Sequence, residues 1–358
     1  MRRAEAMLII IGLSLMPAIA GASALSDAAA RLAPGAWVEI TTTNQQSLLI
    51  RSNGGDLMEY GNKMYWDPGS RQMFFCGASH HGTFSQDCVK YNDDSNSWSS
   101  IGLFASGSGP DPISHTYDNS AGDPTRGHFY HHAYNSLITY RYKISTGTWS
   151  SLPAFNMVSG QSLQCCISIE YAPNMDRLIL LHPWSNTLHF YSENSNTWET
   201  PNVTDIGNGA YHTLSAYGSD NGGYYLFGGG AQTPTTIARV NGSRAVSAAA
   251  TPAGSWDILH SVVAADPVTG KVLQFPGGST IREYNAASNS WRDTGITARF
   301  QSSGDNSSCL VGPISTYGVI MMVCSTNSQT VAHVYLYKHT SGGSPSPKPA
   351  PPPALSVR

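Results

Sequence analysis

Charge is scarce in this chain. Asp, Glu, Lys and Arg make up only 12% of its 358 residues, and 20 basic side chains nearly balance 23 acidic ones. No basic stripe is available for nucleic acid. The Glu- and Lys-rich composition of a coiled coil or a charged disordered chain is also missing. Beyond the first residues, no stretch approaches the roughly 18 consecutive apolar side chains that a membrane-spanning helix needs. There is no phosphate-cradling P-loop and no Gly-x-Ser-x-Gly nucleophile elbow. No His-x-x-x-His falls in a helical pattern and no Cys-x-x-Cys pair occurs, which leaves a metal-ion cofactor without a motif to support it.

What the chain does have is turn chemistry and aromatics: 35 Gly, 21 Pro and 18 Tyr. That composition predicts many short strands joined by tight turns. The N-terminus reads as a signal peptide over residues 1–24. Arg2 and Arg3 precede an apolar run from Met7 to Met16, and Ala22-Ser23-Ala24 offers a small-residue cleavage site. Export makes the cysteines candidates for disulfides. Cys76 and Cys88 lie symmetrically about Gly82, and Cys309 and Cys324 flank Thr316-Tyr317-Gly318, as cross-strand bridges of two hairpins would. Adjacent Cys165 and Cys166 fit two reduced thiols, a vicinal disulfide or bonds to other partners.

Repeats organise the remainder. Four segments place Tyr and Trp seven positions apart: Tyr91 and Trp98, Tyr142 and Trp149, Tyr191 and Trp198, Tyr284 and Trp291. The residues between them are turn formers, so each segment predicts strand, turn, strand with one aromatic on each arm. Successive tryptophans are 51, 49 and 93 residues apart. The last gap, nearly double, implies a repeat that has lost both aromatics, with Val240-Asn241-Gly242 in their place. Upstream of each such hairpin lies another, turning at Asp67-Pro68, Asp123-Pro124 or Asp266-Pro267. Four strands in roughly 50 residues make one propeller blade.

The double glycines (Gly228 to Gly230, Gly277-Gly278) and the Tyr–Trp spacing resemble the kelch repeat over about Trp37 to His339. The resemblance implies an all-β fold, a six-bladed kelch-type β-propeller over residues 36–340. Its blades are expected to begin near Asp56, Ile113, Leu163, Ala210, Trp256 and Asp305. The last repeat lacks a Trp-bearing strand, and Trp37-Val38-Glu39-Ile40 matches Trp98 to Ile101. The N-terminal strand is therefore expected to complete the sixth blade and close the ring. Residues 341–358 read as a Pro-rich tail.

Aligning the innermost strands on their turns places Gly61, Tyr117, Cys166, His212, His260 and Ser308 in one ring. Glu59, His115, Gln164, Ala210, Ile258 and Asn306 form another two residues earlier, on the same face because strand side chains alternate. His115, Tyr117, His212 and His260 are the expected catalytic or ligand-contacting group at the channel mouth. His80, His81, His131, His182, Trp184 and Gln164 form a looser ligand-binding set, with His132 beside it. Imidazoles serve as general bases or metal ligands near neutral pH, and Trp184 offers a ring for stacking on a sugar face.

Three functions fit this pattern. The first is a secreted monomer that binds an extracellular carbohydrate or small molecule, with no membrane contact once the signal is cleaved. The second is a carbohydrate-active enzyme on the same face, since kelch-like propellers include sialic-acid epimerases and galactose-oxidase-like copper oxidases, and other propellers are polysaccharide lyases. The third is a protein-interaction scaffold.

Overall fold

The computed structural model describes residues 23–50, 56–78, 86–102, 116–157, 167–182, 187–199, 202–203, 212–230, 233–299, 308–325 and 330–340. The described chain opens with helix α1 (Ala24–Arg31), strand β1 (Trp37–Ile40) and helix α2 (Gln45–Leu49). Blade one is β2 (Tyr65–Asp67), β3 (Gln72–Ala78), β4 (Gln86–Asn92) and β5 (Ser97–Ser100). Blade two is β6 (Ser120–Asp123), β7 (His128–His132), β8 (Thr139–Lys143) and β9 (Thr148–Ser151). Blade three is β10 (Ser168–Ala172), β11 (Arg177–His182), β12 (Thr187–Ser192) and β13 (Thr197–Trp198), and β14 (Asn202–Val203) also pairs with β12. Blade four is β15 (Leu214–Gly218), β16 (Tyr224–Gly228), β17 (Ile237–Asn241) and β18 (Val246–Ala249). Blade five is β19 (Ser261–Ala265), β20 (Val272–Pro276), β21 (Thr280–Asn285) and β22 (Ser290–Thr297). Blade six is β23 (Cys309–Ile314), β24 (Val319–Ser325) and β25 (Ala332–Tyr337), completed by β1. Every blade is antiparallel, and the first strand of each touches the first strands of both neighbours in an unbroken circuit. This is a six-bladed β-propeller.

The Tyr–Trp repeat builds the outer hairpins as expected. Tyr91 faces Trp98, Tyr142 faces Trp149, Tyr191 faces Trp198 and Tyr284 faces Trp291 in direct cross-strand register. Their ring centroids lie 5.0–5.4 Å apart, inside the range where aromatic pairs attract. The turn between them needs a left-handed residue, supplied by Asn96, Asn196 and Asn289 at φ 47–52° and by Gly147 in blade two. Each of these asparagines also accepts a hydrogen bond from its blade's tyrosine hydroxyl. In blade four Val240 faces Val246, and Arg244 takes the left-handed position. That turn is one residue shorter than in the Tyr–Trp blades.

Closure follows the expected register, from Trp37 opposite Tyr337 to Ile40 opposite Val334. The edge of β25 is thereby paired, and α1 lays Leu25 and Ala29 into the core beside it. The core is not central. Each of the six blade-to-blade interfaces holds its own apolar cluster. Both faces of every sheet are therefore covered. Cys76 is bonded to Cys88 across β3 and β4, and Cys309 to Cys324 across β23 and β24, each pair directly opposed. Among the described residues, no helix is long and apolar enough to cross a membrane.

Candidate functional site

The six innermost strands run parallel around the axis, tied by backbone bridges such as Lys63 to Val311 and Asp118 to Ser168. They define a near mouth, where they begin, and a far mouth, where they end. Between the two, polar side chains cross the channel. Lys63 Nζ donates to Ile169 O and Ser215 Oγ at 2.8 Å and sits 3.0 Å from Asp118 Oδ2 and 3.1 Å from Glu170 Oε2. Asn62 Nδ2 donates to Asp118 Oδ1 at 2.5 Å, Val263 N donates to Asn62 Oδ1, and Ser215 Oγ donates to Asp118 Oδ2. Burial pushes the fully enclosed Asp118 carboxyl up to about 6, and Lys63, Ser215 and Asn62 restrain the rise. Sequence reading singles out neither Lys63 nor Asp118. The available signal is a lysine in the otherwise uncharged segment Gly61 to Trp66, which leads into β2.

At the near mouth, two of the expected ring residues meet. Tyr117 and His212 have ring centroids 5.4 Å apart, and Tyr60 lies 5.9 Å from each. All three are held at positive φ: 54° for Tyr60, 34° for Tyr117 and 66° for His212. A left-handed bulky residue costs on the order of 1–3 kcal/mol and persists only where its surroundings impose it. For Tyr117 and His212 the neighbouring blades hold the backbone, since Asn62 N donates to Tyr117 O and Ile258 N to His212 O. His260 enters the next blade at the same end. Its side chain is 57% exposed and its Nδ1 lies 2.8 Å from Asp257 Oδ1. Glu59 and Asp56 are buried together across the mouth. Burial, with Glu59 adding to it, raises Asp56 to about 6 against the hydrogen bonds it accepts from Ser325 and Met58 N.

The looser set is dispersed. His131 and His132 are on β7 and His182 ends β11, all buried inside the sheets. Ser120 Oγ lies 3.1 Å from His131 Nδ1. His132 bonds Thr139 Oγ1 and Ser136 O. His132, His182 and His189 pack around Phe155, with centroids 4.7–6.5 Å from its ring. Burial lowers His131 and His132 to about 3 and His189 to about 4, so all three are neutral at physiological pH. His80, His81, His115, Gln164, Cys165, Cys166 and Trp184 lie outside the described residues. Among the described residues, no three His, Cys, Asp or Glu side chains are gathered closely enough to hold a metal ion.

The far mouth opens into a cavity of about 330 Å3. Its walls are the last residues of all six innermost strands and the turns that follow, including Tyr65, Tyr171, Tyr217, Pro124, Pro173 and Pro267, and Lys63 and Glu170 border it.

No family model and no curated protein matches the sequence. The chain is similar to a protein of unknown function from Bacteroides thetaiotaomicron at 7% identity and a TM-score of 0.53, covering 84% of this chain and 76% of that one. It is also similar to a fungal alcohol oxidase of the AA5 family, solved with copper, at 10% identity and a TM-score of 0.50, covering 86% and 78%. At such identities the likeness extends to the propeller fold alone.

Proposed function

We propose that this chain is an exported, monomeric kelch-type propeller that binds a small extracellular carbohydrate at the near mouth of its channel. The observation that carries the reading is the convergence of Tyr60, Tyr117 and His212, each left-handed, where blades one, two and four begin. Strain of this kind concentrates at binding and catalytic sites because the surrounding fold must hold it in place. Aromatic faces and an imidazole suit a sugar, whose ring presents apolar C–H faces and hydroxyl edges. His260 extends the group around the mouth. Export is supported by the Arg2 to Ala24 signal pattern and by the two cross-strand disulfides. A monomer is supported by ring closure, in which β1 pairs the edge of β25 and only the short outermost strand of each blade stays unpaired.

The test is a glycan panel containing uronates and sialylated sugars, titrated against the wild type, His212→Ala and His260→Ala. His212→Ala is expected to weaken binding by about 1–3 kcal/mol, the loss for a hydrogen-bond partner in a desolvated site, and His260→Ala, at an exposed side chain, by less. A catalytic His212 would instead cut turnover about 100-fold with affinity retained. Binding that survives both substitutions unchanged overturns the assignment.

A further inference from the structure

We propose that the far mouth is a second ligand site, built for a small organic cation: a primary ammonium group on an apolar body. The cavity of about 330 Å3 falls at the small end of the range for small-molecule sites. Its walls offer little hydrogen bonding. The Tyr65 hydroxyl is spent on Asp67 and the Tyr171 hydroxyl on Asp176, and Ser120 Oγ lies against His131 Nδ1. What these walls chiefly present is apolar carbon, with Ser219, Ser315 and Asp266 as further polar members.

The floor then decides the charge. Lys63 has three N–H donors, and Ile169 O, Ser215 Oγ, Asp118 and Glu170 claim them all, leaving nothing to bind an anion. Glu170 is different. Its side chain is 18% exposed, and Tyr171 N on Oε1 and Lys63 on Oε2 leave lone pairs to spare. One lysine thus faces two carboxylates, Asp118 and Glu170. Asp266 on the wall adds a third, which accepts from Thr269 and Thr340 and has no basic partner among the described residues. A cavity with hydrophobic walls, acceptors at its base and an excess of negative charge favours a donor-bearing cation. Aromatic faces add to that preference.

The experiment is calorimetric titration of the full chain with benzylammonium, benzyl alcohol and benzoate. Saturable one-site binding of benzylammonium is expected, with benzyl alcohol weaker by about tenfold or more and benzoate silent. Glu170→Gln should weaken benzylammonium by at least about tenfold. Ala265→Phe, at a part-exposed wall position away from Lys63, should abolish binding by filling the cavity, and it keeps the test decisive if Glu170→Gln fails to fold. His212→Ala should leave benzylammonium unaffected, which separates this site from the near mouth. Equal affinity for benzyl alcohol, binding that persists in Ala265→Phe, or no saturable binding at millimolar benzylammonium overturns the proposal.

Discussion

Replacing Lys63 by methionine tests whether the polar crossing of the channel holds the ring together. Methionine preserves most of the apolar stem but removes the charge and all three donors. Four acceptors within 3.1 Å lose their partner, among them Asp118, which is 0% exposed and keeps only Asn62 and Ser215. Removing one member of a buried ion pair costs about 3–5 kcal/mol, because the remaining charge stays desolvated. At about 2–4 °C per kcal/mol for a large domain, the melting temperature should fall by about 10 °C. The deficit should also depend on pH. Asp118 titrates near 6 in the folded protein and at 3.8 unfolded, and Lys63 is the strongest influence holding it down. Between those values the folded state keeps a proton that the unfolded state has released, so this group's contribution falls as pH rises through the window. Without Lys63 the folded value moves higher and the window widens upward. Thermal melts followed by circular dichroism at about pH 5 and about pH 8 should show the larger deficit at the higher pH. Lys63→Met with Asp118→Asn should recover part of the loss. A Lys63→Met protein as stable as the wild type at both pH values refutes the reasoning.

Deleting residues 36–43 removes β1 and leaves the edge of β25 unpaired, so light scattering should reveal aggregation; a monomer with unchanged melting would contradict the closure argument. Cys76–Cys88 and Cys309–Cys324 close loops of 12 and 15 residues, and losing either should cost about 3 kcal/mol by loop entropy, read as a lower urea midpoint after reduction. His131, His132 and His189 have folded values of about 3, 3 and 4 against 6.5 unfolded, so their stabilisation is complete above 6.5 and drains away as pH falls toward those values. Asp56 and Asp118 act in the opposite sense between 3.8 and about 6, but two carboxylates offset only two of the three histidines. Urea melts should therefore weaken progressively below about pH 6.5, and His189→Phe should flatten that trend; stability that is level from about pH 7 to about pH 4 would refute it.

Much of the scaffold is determined by sequence alone because its instructions are local and repeated. Tyr91 and Trp98 face each other across a single tight turn, so their spacing states the register without reference to any other blade. Trp37 to Ile40 is legible as a missing strand for the same reason, since it copies a segment that the other blades carry intact. The two disulfides join arms of single hairpins. Alignment on the inner turns also brings Tyr117 and His212 to one mouth, because each innermost strand enters its blade at an equivalent point. Tertiary structure decided the rest. In a propeller both faces of each sheet are covered, so alternation along β7 or β11 does not distinguish channel from core. His131, His132 and His182 accordingly lie inside the sheets beside Phe155 and Ser120, a placement their sequence neighbours do not announce. The Lys63 crossing joins residues separated by as many as 152 positions, from the innermost strands of four blades or the residues leading into them. Only the closed ring brings those strands within hydrogen-bonding distance, and the far cavity exists only because all six of them end together.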